Sequence, residues 1–165
     1  SGALLNVFYQ RRTARESNSL TFQQSLSDNE IYNENIPIIM SVIKNRKSIH
    51  IYAEPKHTNT KEAQAIRSVL NTWERAANAM RHGVYDELYL YQAHRSMVLH
   101  FGVYLRGYIK AKQAERESFL VNFSWLVLKW TIRRDSFEEA ITKKELKAVF
   151  KALNRVKAGR PSNIK

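Results

Sequence analysis

Cysteine is absent from this 165-residue chain, which excludes disulfides, thiolate metal sites and cysteine nucleophiles. Only 5 glycines and 3 prolines punctuate it. So few turn residues argue against a many-stranded sandwich and for long helices. No stretch reaches the roughly 20 consecutive apolar residues that a membrane-spanning helix requires. The five histidines (His50, His57, His82, His94 and His100) form no i,i+4 pair with a neighbouring carboxylate. No acidic spacing matches a calcium loop either, so neither a metal ligand set nor a cofactor is expected. There are no internal repeats and no low-complexity tract.

What remains is a hydrophobic share of 44% beside 25% charged residues, enough to build one core and too apolar for a disordered chain. The net charge of +12 is unevenly spread. Residues 1–60 hold 7 Lys/Arg against 5 Asp/Glu, residues 61–135 hold 12 against 7, and residues 136–165 hold 8 against 3. The cationic excess is therefore densest at the C-terminal end, where a solvated segment can meet phosphates.

The chain opens with "SGALLNVFYQRR". Ser1-Gly2 reads as a scar of a cleaved tag and is set aside. Ala3 to Phe8 is apolar except for Asn6 and runs into Arg11-Arg12. Two readings stand: an ordinary amphipathic first helix, or the trailing end of a membrane anchor followed by cytosolic positive charge. Residues 1–12 are accordingly set apart as an anchor remnant, 13–135 as a helical core domain, and 136–165 as a basic C-terminal helix and tail.

Within the core, Ser27-x-x-Glu30 has the form of a capping box for a helix through "IYNENIPIIMSVIKN", which Pro37 either kinks or restarts. "RKSIHIYAEPKHTNT" reads as a loop whose "SIHIYA" alternates like a short strand. Asn59 or Thr60 caps the next helix, Gly83 ends it in a left-handed cap, and Asp86 starts a helix through "ELYLYQAHRSMVLHFGVYLRGYIKAKQAERE". Gly102 and Gly107 mark weak points or close helix contacts there. Phe119, Leu120, Phe123, Leu126, Val127 and Trp130 recur at helical spacing and predict a core helix. Thr142-x-x-Glu145 is a second capping box before "KKELKAVFKALNRVK", and "AGRPSNIK" reads as a frayed end. The sum is an all-α fold, a single bundle of five or six helices.

Three constellations carry candidate chemistry. Along residues 65–83, the apolar side of Ile66, Val69, Leu70, Trp73, Ala76, Ala77 and Met80 is edged by Arg67, Asn71, Glu74, Asn78 and Arg81. A carboxylate on that shoulder is partly desolvated and needs a cation or amide donors. Glu74 is expected to find Arg95 or Arg106 from another helix, making either a ligand pocket or a polar network that fixes helix register. Second, Arg95 and His100 resemble the Arg-x4–6-His pair of HEPN ribonucleases, in which a histidine moves protons and an arginine holds phosphate. Arg75 and His82 fit the same loose spacing. Third, Leu146, Val149, Phe150 and Leu153 form a stripe opposed by Lys143, Lys144, Lys147, Lys151 and Arg155. That helix can lie on anionic lipid, contact nucleic-acid phosphates, or pack its stripe on the body. "GRP" at 159–161 is a faint echo of an AT-hook core.

The segment "RSVLNTWERAANAMRHGVYDE", followed by "YLRGYIKAKQ" and the helix end "WTIRR", resembles the domain-of-unknown-function 4760 family. The pattern that carries the resemblance is Leu70-Asn71-x-x-Glu74 followed by Gly83 and Asp86-Glu87, within residues 3–135. The resemblance implies a short bacterial or phage protein with an N-terminal transmembrane helix and a helical cytoplasmic region. It implies no activity. The expected function is a membrane-tethered, cytoplasm-facing interaction module without catalysis, attached through a helix ahead of this sequence in an inner or plasma membrane. The alternatives are a soluble cytoplasmic protein and a nucleic-acid-directed one, a basic-tail binder or a ribonuclease using Arg95 and His100. Tyr85, Tyr89, Tyr91, Tyr104 and Tyr108, taken as exposed, would suit a protein partner or a second copy.

Overall fold

Helix α3 (Lys61–Arg81) is the element around which the others are laid. Thr60 starts it, its hydroxyl accepting from the Ala63 amide at 3.2 Å. Gly83 follows its end at φ +69°, and the Gly83 and Val84 amides bond the carbonyls of Met80 and Ala79. That paired closure is the Schellman arrangement. Between these caps, Ala63, Ala65, Ile66, Val69, Leu70, Trp73, Ala76, Ala77 and Met80 are all buried. The apolar stripe read from the sequence is therefore the floor of the core.

The structure is a computed structural model that describes residues 2–45 and 48–158. Among the described residues there are seven α-helices and no strand. The fold is all-α, with slightly more helices than the five or six expected. In order they are α1 (Gly2–Asp28), α2 (Glu30–Lys44), α3, α4 (Glu87–Tyr104), α5 (Arg106–Glu115), α6 (Val121–Arg134) and α7 (Phe137–Ala158). Two 3-10 turns, Ile49–Ala53 and Pro55–His57, link α2 to α3. The chain divides into two compact units, residues 1–128 and residues 129–165.

In the first unit α2 packs along α3, α5 packs on the first 3-10 turn, and α1 touches α2 and α4. Tyr32, Ile39 and Val42 of α2 and Leu90, Val98, Leu99 and Phe101 of α4 complete the core with Leu105, Tyr108, Leu120, Phe123 and Leu126. Among the described residues Ser19 is the one buried polar residue. Its hydroxyl donates to the Arg15 carbonyl at 2.8 Å and accepts from the Asp86 amide at 2.7 Å, tying α1 to the start of α4. Asp86 in turn caps α4 by accepting from the Tyr89 amide at 3.2 Å.

Several local expectations are corrected. Ser27 does not form a capping box: it lies inside α1, its hydroxyl bonded to the Gln23 carbonyl. The cap of α2 is Asn29, which accepts from the Tyr32 amide at 2.9 Å, while Asn33 donates back to the carbonyls of Leu26 and Ser27. Two asparagines thus satisfy one helix end and the next helix start across a single-residue link. Helix α2 runs through Pro37 rather than restarting there. "SIHIYA" forms a 3-10 turn and not a strand, because with no partner strand its backbone groups are satisfied only locally. The long helix after Asp86 is two helices, parted at Leu105 (φ −93°, ψ 6°). Thr142 is not an N-cap, since α7 has already begun at Phe137. The "GRP" at 159–161 and the end after Ala158 lie outside the described residues.

Gly102 is a close helix contact, as one of its two readings held. A Cβ built there would lie 2.6 and 2.7 Å from the two Val127 methyls of α6 and 3.2 Å from Val127 Cβ. A β-branched side chain in a helix has little rotamer freedom with which to yield. Gly102→Ala is expected to cost about 1–3 kcal/mol by overpacking despite the gain in helix propensity. Urea unfolding measures it, and adding Val127→Ala should recover part of the loss. An unchanged midpoint in Gly102→Ala would contradict the contact.

Candidate functional site: a polar seam between α3 and α6

Helix α6 begins without a capping residue of its own. Leu120, immediately before it, is buried and sits at φ +51°, a left-handed conformation that costs a non-glycine residue about 1–2 kcal/mol. The amides of the first α6 turn have no local side-chain acceptor, since a leucine supplies none. Glu74 of α3 provides it. One of its carboxylate oxygens accepts from the Asn122 amide at 3.2 Å and from Asn122 Nδ2 at 2.9 Å, and the other accepts from the Phe123 amide at 2.6 Å. A carboxylate from 48 residues away performs the task of an N-cap, and the positive end of the helix dipole favours its charge.

Two neighbours complete the seam. Arg81, two turns along α3, donates to Asn122 Oδ1 at 2.8 Å, with its guanidinium 5.2 Å from the Trp125 ring centroid. That pairing combines a charged hydrogen bond with a cation–π contact. Gln113 of α5 donates to the Phe119 carbonyl at 2.9 Å and the Ser124 hydroxyl at 3.3 Å, clasping the same turn from the other side. At the far end of the line, Arg67 donates to the Thr58 carbonyl at 3.3 Å, closing the loop before α3. Asn71 is half-buried and Asn78 exposed.

The seam is thus partly as expected and partly corrected. Glu74 does sit on the shoulder of the apolar face and does find donors, but its partners are amides and Asn122 rather than Arg95 or Arg106. Leu120 was expected inside the core helix and instead forms the left-handed turn before it, while the roles of Asn122 and Gln113 went unread in the sequence. Of these, Gln113 and Asn122 look like ordinary polar positions on helical stretches, and no local pattern marks them. Arg81 and Glu74 meet at Asn122, whereas Arg67 serves a separate turn.

Arg95 and His100 lie on one helix, α4, five positions apart, which places them about 140° apart around its axis. The Arg95 guanidinium lies 5.3 Å from the Tyr91 ring centroid. The His100 ring centroid lies 4.5 Å from that of Tyr104, and His100 Nε2 is buried without a hydrogen-bond partner. Among the described residues no group of three or more His, Asp or Glu residues is placed to hold a metal ion.

A second cluster was not anticipated. Phe22 of α1 meets Trp73 edge-on at 5.7 Å and stacks on Tyr85 at 5.1 Å, and Trp73 meets His94 at 5.1 Å. Trp73 Nε1 donates to the Tyr32 hydroxyl at 3.0 Å, and burial raises the Tyr32 pKa above its ordinary range. His94 Nε2 meets Gln23 Oε1. Beside this cluster lies a cavity of about 360 Å³ lined by Leu26, Ile36, Met97, Tyr32, Gln23 and His94. Of the tyrosines expected on exposed faces, Tyr91 and Tyr108 are buried, Tyr85 is half-buried against Phe22, and Tyr89 and Tyr104 are exposed.

In the second unit, Lys143, Lys144, Lys147, Lys151 and Arg155 are all exposed on α7, and so are Leu146, Val149, Phe150 and Leu153. Among the described residues no helix is long and apolar enough to cross a membrane.

Fold and seam together define a helical module whose most elaborate polar cluster is spent on holding its own helices. The chain belongs to the family described as Domain of unknown function (DUF4760), whose model matches residues 2–130. No curated protein and no solved structure matches the chain.

Two outcomes are expected. Glu74→Ala strips the acceptor from two helix amides and a buried-edge amide, and should cost about 2–3 kcal/mol in urea unfolding, with Glu74→Gln costing less. An effect below about 0.5 kcal/mol, the usual surface range, would remove the seam's structural role. His94 supplies a pH dependence, because burial holds its pKa below the ordinary 6.5. The folded chain then binds this proton less readily than the unfolded chain. The stability it contributes is whole above the unfolded value, falls as pH drops through it, and levels off below the folded value. Urea midpoints should therefore fall on acidification through pH 6.5, and His94→Gln should flatten that part of the curve.

Proposed function

We propose that this chain is the cytoplasm-facing helical part of a membrane-tethered interaction module that carries out no reaction of its own. The observation that supports this most directly is the first half of α1. Residues 2–14 are exposed on every side of the helix, and Leu4, Leu5, Val7, Phe8 and Tyr9 lie among them, with Leu4 78% exposed. At 100° per residue these five side chains span an arc of about 200°, wider than a single packing stripe, with Asn6 and Gln10 on the remaining arc. A neighbouring helix buries one stripe; a surround that is apolar in all directions suits a helix end of this kind better. Arg11, Arg12 and Arg15 follow directly, as cationic residues do on the cytoplasmic side of a spanning segment. Arg12 is held by Glu16 at 2.9 Å, so Arg11 and Arg15 carry most of the local positive charge.

On this reading α1 is the cytoplasmic end of a single-pass tether in an inner or plasma membrane, and the spanning residues lie ahead of Ser1. Ser19 and Asn18, which bond Asp86 and Val84, mark where α1 becomes part of the bundle. From there the helix is a rigid arm at 1.5 Å per residue, carrying the bundle away from the bilayer.

Fractionation of cells that make the native protein tests the tether. It should sediment with membranes and resist extraction by salt and alkali, and recovery in the soluble fraction would overturn the reading.

A further inference from the structure

Helix α7 presents two exposed faces of opposite character. Leu146, Val149, Phe150 and Leu153 project within about 100° of one another at helical spacing, and all four are exposed, Phe150 at 61%. Lys143, Lys147, Lys151, Lys144 and Arg155 occupy the adjoining arc and are exposed as well. Between Ile141 and Arg155 these five cations are opposed by one acid, Glu145.

We infer that α7 is an amphipathic helix that docks on an anionic phospholipid surface, laying its Leu–Val–Phe stripe into the headgroup boundary while its lysines meet lipid phosphates. The inference rests on the membrane reading for the surface α7 meets, and on α7's own faces for the rest. Three physical points select this occupant. An apolar stripe bordered by lysines matches the layering of the interface, apolar below and anionic at headgroup height. A second copy of the helix is disfavoured, because pairing the stripes would bring two sets of six cations together against two sets of three glutamates. A nucleic acid would satisfy the charge but leave the stripe in water, and Phe150 is the one aromatic residue between Ile141 and Arg155 available for base stacking. Long lysine side chains also suit the task, since their stems can lie along apolar surface while the ammonium reaches the phosphates.

The full chain is mixed with vesicles of phosphatidylcholine alone and of phosphatidylcholine with phosphatidylserine, and sedimented at low and at physiological salt. Binding should require phosphatidylserine and weaken with salt. Each lysine near such a surface contributes roughly fivefold, so Lys143→Gln, Lys144→Gln, Lys147→Gln and Lys151→Gln together should lower affinity by about a hundredfold or more. Val149→Ser, Phe150→Ser and Leu153→Ser should abolish binding with the lysines intact. All seven positions are exposed, so the fold should survive; circular dichroism and an unchanged urea midpoint for the first unit check this. A third variant, Leu4→Ser, Leu5→Ser and Phe8→Ser, should keep the phosphatidylserine dependence.

The inference is overturned if both α7 variants bind like the parent. It is equally overturned if the serine variant binds as before and the lysine variant alone loses binding to vesicles and to a generic DNA duplex, which would make α7 a phosphate binder. If the parent dimerises in analytical ultracentrifugation and the serine variant dissolves the dimer while vesicle binding is unaffected, a second copy covers the stripe and the inference falls. The tether is separable from all of these. A protein soluble in cells that still binds vesicles through α7 loses the tether and keeps the docking helix; a membrane-resident protein whose α7 variants bind normally keeps the tether alone.

Discussion

The bundle depends on one exchange between two incomplete groups. The start of α6 has amides and no local acceptor; Glu74, on the edge of the most buried helix, has a charge and no local donor. Each would carry a desolvation penalty alone, and together they form charge-assisted hydrogen bonds of the stronger kind. The bond also has directional value. The first turn of a helix leaves adjacent amides free to converge on one carboxylate, so Glu74 ties the start of α6 to a defined position on α3. The left-handed Leu120 becomes tolerable for the same reason, because the turn it makes delivers Asn122 and Phe123 to the carboxylate and buries its own side chain. Arg81 and Gln113 then bind the same turn from α3 and α5, so three helices agree on one position.

What could be read in the sequence, and what could not, divides along the range of the interaction. The stripe of α3, its Thr60 and Gly83 ends, and the Asp86 cap of α4 are governed by residues within one or two turns, and each was legible. So was the core run Phe123, Leu126 and Trp130, whose periodicity needs no knowledge of the partner. The failures are competitions. At the α1–α2 link, Ser27 and Asn29 both have cap chemistry, and Asn29 prevails with Asn33 beside it, so that both helix ends are satisfied. The break at Leu105 falls between Gly102 and Gly107, the weak points marked in the sequence, but no local signal places it at Leu105 itself. The neighbouring Gly102 lies against Val127, and that close approach is a property of the assembled helices. For Glu74 the sequence showed the need for partners but not their identity. Its donors are backbone amides, which every residue but proline has, so side-chain chemistry could not single them out.

The interior and the termini differ in how their chemistry is spent. Inside the first unit Ser19, Asn29, Asn33, Glu74, Gln113 and Asn122 all close contacts between elements or turns. A candidate site built from them would have to break the fold to bind a ligand. The same holds for Arg95 and His100, held in ring contacts on different sides of α4. The first turns of α1 and the faces of α7 make no such contribution. Their apolar side chains are exposed in numbers that an isolated module in water would not need, and each lies beside cationic residues.

Charge placement carries the last step. A net charge of +12 spread evenly would say little beyond solubility. Here the density is highest in residues 136–165, where 8 cations meet 3 acids, and a shorter group follows the apolar start of α1. The middle of the chain, residues 61–135, sets 12 cations against 7 acids over more than twice the length of the tail. Cations therefore accumulate beside exposed apolar surface rather than away from it. In water the gain from that coincidence is limited to lysine stems covering part of the neighbouring apolar surface. A membrane interface distinguishes the two arrangements: it offers an apolar layer and an anionic layer a few ångströms apart, and only side chains that present both together gain from both.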